Sequence, residues 1–504
     1  MKSTHRLSIV ALILVMISLA CVRNAFSNEM TDEEKIRGTA SVLATQAILN
    51  PPRKPGELAP TPTPDKPHTL PTLRSDPEKY YAQAGDTYGK IANDHGITLQ
   101  ELIEENDILD ENMLSIGQEL DIPAGKPVGK APSFKVIPDS ELVFGPTTTT
   151  FSAAGFMEGR QGYLNNYSET VDDIQLAGVE VINKVARDYS VNPRLLLALL
   201  EYMGGWVTNP RPAAEQVEFP LGYDDPAYKG LYLQLSFAAN NLNRGFYLWQ
   251  ANALGQFILK DGSLIVPDAT VNAGTAGVQY FFSKMLGKDA WERAVTDHGL
   301  ISQYQFLFSY PFDLGMEPLL PRGLRQPKWH LPFEPGVEWS FTGGPHSAWG
   351  TGSAWGALDF APPGDMLGCN TSDDWVVAMA DGKIIRANNG AVVEDLDGDG
   401  KEQTGWTILY MHIENRDRVE RGTIVKAGDR IGHPSCEGGI STGTHLHIAR
   451  RYNGTWIAAD GSIPFVMDEW TSSGRGTEYD GELTRENITI EAWDGRKTEN
   501  QIKR

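Results

Sequence analysis

The segment STGTHLHIAR, Ser441–Arg450, places two histidines two positions apart in a short apolar run that follows a turn of small residues. This run predicts a β-strand, and side chains two positions apart on a strand leave the same face of the sheet. His445 and His447 are therefore expected to point together at one spot above that face. A pair of imidazoles placed in this way suggests metal binding, proton transfer or both.

The sequence around this pair predicts an antiparallel β domain over residues 329–504, because short apolar strands alternate there with Gly- and Asp-rich turns. A catalytic zinc ion takes three nitrogen or oxygen ligands and keeps a fourth position for water. The segment GGPHSAWGTGSAWGALDFAPP supplies His346 and Asp359, and the segment THLH supplies a third candidate ligand. His412, in YMHI, and His433, in IGHPS, are further polar candidates in the same domain.

At these residues the chain resembles the lysostaphin-type (LytM) zinc endopeptidases, and within them the β-lytic branch, in which a Gly-, Ser- and Trp-rich loop separates the first histidine from the aspartate. The resemblance covers residues 338–470. It implies that Zn²⁺ is held by His346, Asp359 and His447, and that peptide bonds of cell-wall peptidoglycan are hydrolysed. It also implies that His445 is the general base and that His412 stabilises the oxyanion, although the two roles could be exchanged.

Two alternatives to this enzyme remain open. Some LytM-type domains have lost zinc and act as wall-binding regulators of other hydrolases, but all five family positions are filled in this sequence. A bifunctional endopeptidase and muramidase is the second alternative. His433 has no matching position in the family and is expected to be a surface or structural histidine.

The composition indicates several globular domains, since 504 residues exceed what one hydrophobic core usually organises. The formal net charge of −21 disfavours nucleic acid as a partner, because phosphate binding requires an excess of Lys and Arg.

The first 27 residues have a basic start, an apolar run and a small-residue site, which together predict a secretory signal peptide. The mature protein is then expected to be secreted or cell-wall associated, without a membrane span. A lipid anchor on Cys21 is the competing interpretation, although the residues before this cysteine fit a lipobox poorly. With Cys21 removed, Cys369 and Cys436 form an even pair that favours one disulfide, and two free thiols are the alternative.

Residues 28–79 are rich in proline and predict an extended linker. Residues 80–123 then show a strand, a turn GDT, a helix with IA, a second helix and a strand after IGQ. This pattern resembles the LysM module, which implies binding to polymers that contain N-acetylglucosamine, such as peptidoglycan.

A second linker is predicted over residues 124–165, and a helical domain over residues 166–328. Its segment VNPRLLLALLEYMGGW resembles the helix that carries the catalytic glutamate in lysozyme-like transglycosylases and muramidases. Met203 fills the position of that glutamate, and Glu201 lies about 200° away around the helix. We therefore expect an inactive, lysozyme-like domain. The fold class is multidomain α+β.

The segment DLDGDGKE, Asp395–Glu402, resembles a calcium-binding turn. The twelfth position of that loop would require an acidic residue, and Trp406 stands there. An acidic hairpin loop without a metal ion is the favoured interpretation, and calcium binding stays open.

Overall fold

The computed structural model describes residues 61–504, apart from residues 84–85, 109, 111–112, 126, 128 and 365–366 and the side chain of Asn93. The predicted signal peptide, Cys21 and the first part of the Pro-rich linker lie outside these described residues. Within the described part of the chain, no helix combines the length and the apolar character that crossing a bilayer requires.

The N-terminal module pairs two antiparallel strands, β1 (Glu78–Tyr81) and β2 (Glu119–Ile122), and carries two helices, α1 (Tyr88–Asp94) and α2 (Leu99–Glu105). Thr98 caps α2 in a reciprocal capping box with Glu101, which satisfies two backbone amides of the first turn. The buried core consists of small and aliphatic side chains from both helices and both strands: Ala82, Tyr88, Ile91, Ala92, Ile97, Leu102, Leu120 and Ile122.

The described part of the Pro-rich segment is bound to its neighbours, which differs from the predicted free linker. The amides of Asp65 and His68 donate to the carbonyls of Thr270 and Ala269, and the His68 ring stacks on Trp249 at 4.5 Å. An extended proline-rich backbone leaves its carbonyls and amides unpaired within the segment, so they are available to a neighbouring surface.

Most of the second predicted linker is also folded. Residues 131–165 include α3 (Asp139–Leu142) and α4 (Ala153–Met157), and many of their side chains are buried. Glu141 is fully buried and contacts Asn192, Arg194 and Tyr304. The helices of this segment are short and many of its residues are small, so the sequence has no continuous hydrophobic periodicity. For this reason its composition suggests a linker.

The middle domain is mainly helical, as predicted. It begins with a hairpin of β4 (Ser168–Val171) and β5 (Ile174–Ala177), and the first long helix starts after this hairpin, at Gly178. The further helices are α5 (Gly178–Tyr189), α6 (Pro193–Gly204), α7 (Ala214–Glu218), α8 (Leu231–Gln250), α9 (Ala273–Met285), α10 (Lys288–Ala294), α11 (Leu300–Phe308) and α12 (Pro311–Leu314), and a small sheet contains β3 (Gly129–Lys130), β6 (Phe257–Ile258) and β7 (Leu264–Val266).

The C-terminal domain is built on a nine-stranded sheet with the order β14-β11-β12-β13-β16-β9-β8-β22, in which β17 also pairs with β16. Its antiparallel strands agree with the predicted β domain. The strands are β8 (Glu338–His346), β9 (Ala357–Ala361), β11 (Gly382–Asn388), β12 (Ala391–Asp395), β13 (Trp406–Met411), β14 (Ile424–Val425), β16 (Leu446–Tyr452), β17 (Thr455–Trp456) and β22 (Gln501–Lys503).

Two smaller sheets complete this domain. One pairs β10 (Val376–Val377) with β15 (Arg430–Gly432), and the other joins β18 (Val466–Met467), β19 (Trp470–Gly474), β20 (Gly481–Arg485) and β21 (Ile488–Glu491) in chain order. A shared core of aromatic and aliphatic side chains, including Trp339, Phe360 and Leu483, packs both the large sheet and the four-stranded sheet.

A buried ionic cluster joins the helical domain to the C-terminal domain. Arg386 donates to Asp188 of α5 at 2.6 Å and lies 3.1 Å from Glu402, which also pairs with Arg451. Burial alone would raise the pKa of the Glu402 carboxyl, but Arg386 and Arg451 outweigh it and hold the pKa below its ordinary value. The cluster therefore balances buried charges of both signs across the contact.

Candidate metal centre

The register of three adjacent strands brings His346, Asp359 and His447 together. His447 on β16 lies directly opposite Asp359 on β9, so both side chains leave the same face. Gly343 of β8 lies opposite Asp359 on the other side, where an added Cβ would come within 3.0 Å of Asp359 Oδ2. His346 is the last residue of β8, beyond a register shift that turns it toward the other two.

The facing atoms of the three side chains form a nearly equilateral triangle. His346 Nε2 lies 3.0 Å from His447 Nδ1 and 3.3 Å from Asp359 Oδ1, and His447 Nδ1 lies 3.2 Å from the same oxygen. Ligands bound at about 2.0–2.1 Å to one tetrahedral zinc ion are separated by roughly 3.3 Å. The triangle therefore has the size of one face of a zinc coordination tetrahedron.

The hydrogen bonds of the two rings leave lone pairs inside this triangle. His346 Nδ1 lies 2.8 Å from the carbonyl of Gly344, and His447 Nε2 lies 3.2 Å from the carbonyl of Ala348. A carbonyl only accepts, so each neutral ring carries its proton on that outer nitrogen and directs an unprotonated nitrogen inward. Asp359 Oδ1 is buried and accepts no hydrogen bond. Three electron-rich atoms thus face one another, which fits a shared cation.

The electrostatics of the buried carboxylate agree with this arrangement. Burial raises the pKa of Asp359, but the neighbouring His346 and His447 outweigh that cost and hold the pKa well below its ordinary value. Burial lowers the pKa of His447. For His346 the lowering by burial is outweighed by Asp359, so its pKa is raised. The aspartate is therefore ionised near pH 7.

His445 and His412 lie beside the triangle. Their ring centres are 4.3 Å apart, and His445 Nε2 is 3.8 Å from Asp359 Oδ2. His445 Nδ1 lies 2.8 Å from the Gly443 carbonyl and His412 Nδ1 lies 2.9 Å from the Glu437 carbonyl. By the same argument, each neutral ring keeps Nε2 as a proton acceptor.

His412 is held in an unusual conformation. Its backbone has φ +63°, a region that non-glycine residues rarely adopt, and its carbonyl accepts from both the amide and the hydroxyl of Ser435. Burial, followed by the neighbouring His445 and His447, lowers the pKa of His412 to about 3. His412 is therefore neutral near pH 7.

The loop that carries His445 is fastened by a disulfide between Cys369 and Cys436, the state that the even cysteine pair favoured. Thr444 donates its amide to Gly368, and its hydroxyl accepts from the amide of Asn370. These contacts hold the segment before His445 against the loop that follows β9.

His433 lies apart from the metal centre. It is 2% exposed, its Nδ1 lies 2.9 Å from the Asp374 carbonyl, and its ring contacts Trp375 at 3.9 Å between centres. These contacts fit a structural histidine, one of the two roles expected for this residue.

Two neighbours of the triangle carried no sequence signal. Tyr479 stacks on the His346 ring at 4.2 Å with φ +69°, and Glu478 accepts from the amide and hydroxyl of Ser347. Both come from the turn between β19 and β20, more than a hundred residues from the histidine that they support. No motif spacing could have indicated this contact, because the distance in the chain is set by the four-stranded sheet.

The two tryptophans between His346 and Asp359 have separate surroundings. Trp349 packs edge-on against Tyr189 of α5. Trp355 is half-buried and lines an open cleft beside the loop.

Asp395, Asp397 and Asp399 lie close enough to hold an ion. Each carboxylate accepts a backbone amide of the same turn, from Asp397, Asp399, Gly400 or Lys401. These bonds fit the predicted acidic hairpin loop, and its lack of a metal ion stays a prediction.

In the helical domain, Glu201 is occupied by its own loop. One carboxylate oxygen accepts from the amides of Val207 and Thr208, and the other accepts from the Thr208 hydroxyl at 2.5 Å. Both oxygens therefore serve the turn after α6.

Comparison with known protein families agrees with the LysM and LytM resemblances. Residues 80–123 match the LysM domain, residues 135–319 match the LasA, N-terminal domain, and residues 364–459 match peptidase family M23. The M23 match begins after His346 and Asp359 and includes His412, His445 and His447. The lysozyme-like resemblance of the helical domain stays a prediction, since the match there is to the LasA domain.

Individual relatives are similar to parts of this chain. Protease LasA of Pseudomonas aeruginosa (strain UCBPP-PA14) is 25% identical over 319 residues, 59% of this chain and 71% of the relative. Beta-lytic metalloendopeptidase of Lysobacter enzymogenes is 28% identical over 176 residues, 34% of this chain and 90% of the relative. The solved M23 metalloprotease pseudoalterin is 24% identical, with a TM-score of 0.28, over 33% of this chain and 96% of that one. These matches identify residues 364–459 as similar to peptidase family M23 and residues 80–123 as similar to the LysM domain, and together with the relatives they support a LytM-type metalloendopeptidase with a LysM module.

Proposed function

We propose that this protein is a secreted zinc endopeptidase that hydrolyses peptide bonds in bacterial peptidoglycan and is held on the wall by its LysM module. The observation that carries the proposal is the triangle of His346 Nε2, His447 Nδ1 and Asp359 Oδ1. Two imidazole lone pairs at 3.0 Å and an unpaired, buried carboxylate oxygen repel one another unless a cation lies between them. Two nitrogens and one oxygen suit a catalytic zinc site.

A bound zinc ion would supply Lewis-acid chemistry, since it makes a water molecule acidic and polarises a carbonyl group. The chain's own residues then handle the protons. His445 Nε2 accepts a proton from the attacking water and later delivers it to the amine nitrogen as the C–N bond breaks. His412 stabilises the tetrahedral oxyanion through a hydrogen bond from Nε2, which takes up a second proton from solvent as the negative charge develops and returns it when the intermediate collapses. The two roles of His412 and His445 can be exchanged without altering this balance.

Tyr479 and Glu478 support this arrangement from outside the triangle. The stacked Tyr479 ring fixes the plane of His346, and Glu478 fixes the first residue of the loop that follows it. Supporting contacts of this kind orient metal ligands and are commonly worth 10- to 100-fold in affinity or activity.

Mass spectrometry of the products that the full chain releases from purified sacculi tests this function. The proposal predicts new peptide amino and carboxyl ends, and no release by the His447→Ala variant. New sugar reducing ends or anhydro-sugars without peptide cleavage would contradict it. The products also identify the bond that is cleaved.

The targeting role of the LysM module has its own test. Deletion of residues 80–123 is expected to weaken binding to sacculi, while cleavage of a small soluble peptide is retained. Equal sacculus binding by the deletion variant would contradict targeting without affecting the proposed reaction.

A further inference from the structure

A large cleft lies between the LysM module, the helical domain and the peptidase domain. Its volume is about 1400 Å³. One wall comes from α1 and the residues after it, including Lys90, and a second comes from α8 and α9, including Gln250 and Lys284. The third wall consists of peptidase residues 351–355, 455–458, 460–463 and 476–478.

One side of the cleft adjoins the metal centre. Residues 351–355 belong to the loop that joins His346 to Asp359, and Glu478 is bonded to Ser347 at the start of that loop. A molecule in the cleft would therefore touch the chain that positions two of the three candidate metal ligands.

The lining of the cleft includes hydrogen-bond donors and an aromatic side chain. The Gln250 amide is exposed, Lys284 Nζ lies 4.8 Å above the Tyr280 ring, and Trp355 is half-buried. Among the described residues, Lys284 and Arg244 have no carboxylate within ion-pair distance, although the whole chain has a net charge of −21. Arg244 Nη1 donates to the carbonyl of Thr351 at 3.2 Å, so Gln250 and Lys284 are the donors of this wall that are available to oxygen atoms of a ligand.

The size and chemistry together indicate an extended sugar polymer. Pockets for one small ligand occupy about 300–1000 Å³ and combine aromatic walls with a few polar groups. Sugars have apolar ring faces that pack on aromatic side chains, and hydroxyl and N-acetyl oxygens that accept from amides and amines. We infer that the cleft binds the glycan strand of N-acetylated sugars and lays it beside the metal centre. This inference rests on the proposed function, because the glycan strand carries the peptide to be cleaved.

Calorimetric titration of the full chain with a peptide-free glycan tetrasaccharide tests this inference. Two binding sites are expected in the wild type, one in the LysM module and one in the cleft. The double variant Gln250→Ala/Lys284→Ala is expected to weaken the second site at least about 10-fold, the loss expected for two hydrogen bonds. The matched variant Lys260→Ala/Gln305→Ala, with both changes on exposed helical-domain positions outside the cleft, should retain both sites.

The outcomes separate this inference from the proposed function. One glycan site in the wild type, or two unaltered sites in the cleft variant, would overturn the glycan assignment. So would a variant that loses affinity for a glycan-free cross-linked peptide and not for the tetrasaccharide. Because the titration needs no hydrolysis, a failure to cleave peptide would count against the proposed function alone. Unaltered thermal unfolding confirms that the variants are folded.

Discussion

Sequence motifs point to one carboxylate in the peptidase domain and to one in the helical domain. The protein provides these two carboxylates with different hydrogen-bond donors. Asp359 is buried with an oxygen that accepts no hydrogen bond, whereas both oxygens of Glu201 accept from the turn that follows its helix. The first carboxylate still has capacity for a ligand. The second already accepts three hydrogen bonds from its own loop.

This contrast separates a reactive group from a structural one. A buried polar atom without a partner is costly, and a metal ion held by the triangle would supply the partner of Asp359 Oδ1. A carboxylate with three donors has no comparable need. A carboxylate is therefore proposed as a metal ligand in one domain and as a support of loop structure in the other.

The largest effect is expected from His447→Ala. The change removes one corner of the triangle, and two remaining ligands hold an ion far more weakly. Peptide hydrolysis and bound zinc should be lost together. Activity assays and metal analysis on the same preparation check this result, and a variant that keeps both would break the assignment of His447.

A smaller effect is expected from His445→Ala, which leaves the triangle intact. Turnover should fall on the order of 10²- to 10⁴-fold, the usual contribution of a general base, while zinc stays bound. His433→Ala is a control at a buried histidine outside the site. Loss of zinc from the His445 variant would show that this residue is a ligand instead of a base.

The contact between the two domains is expected to depend on charge. Glu402→Gln leaves Arg386 and Arg451 without their shared carboxylate, so the free energy of unfolding should fall by about 3 kcal/mol. Urea unfolding measures this change, and Glu420→Gln at an exposed position is the control. An unchanged midpoint would show that the cluster contributes nothing to stability.

The free energy of unfolding is expected to fall at acidic pH, because two buried carboxyl groups have lowered pKa values. Burial raises the pKa values of Asp188 and Glu402, but nearby arginines outweigh it and hold both below their ordinary values. Their stabilisation is therefore complete above the unfolded-state pKa of roughly 4 and is lost as the pH falls below it. The Glu402→Gln variant should lose less stability on acidification than the wild type, as urea unfolding at several pH values would show.

The smallest effect is expected from Glu201→Gln. Because this carboxylate holds the turn at Val207 and Thr208, the change should cost about 1 kcal/mol of stability and leave the products from sacculi unaltered. Loss of glycan-strand cleavage in this variant would erase the contrast between the two domains and make the protein bifunctional.

Sequence reasoning found the residues of the triangle because their identity and order follow a family pattern. The register that places His447 opposite Asp359 agrees with the expected strand, since alternate side chains share a face. Tyr479 could not be found in this way, because its position depends on the path of a four-stranded sheet. Two segments that the sequence assigns to linkers, residues 131–165 and the proline-rich segment, are packed against the rest of the protein. Composition alone cannot predict burial, and it cannot predict backbone hydrogen bonds to residues far away in the chain, such as 269–270.

The central claim is tested most directly by the zinc content of the purified wild-type chain, measured with its peptidase activity before and after chelation. We expect one zinc ion per chain, loss of activity when the ion is removed, and recovery when zinc is returned. A chain that purifies without metal and gains no activity from added zinc would contradict the assignment of His346, Asp359 and His447.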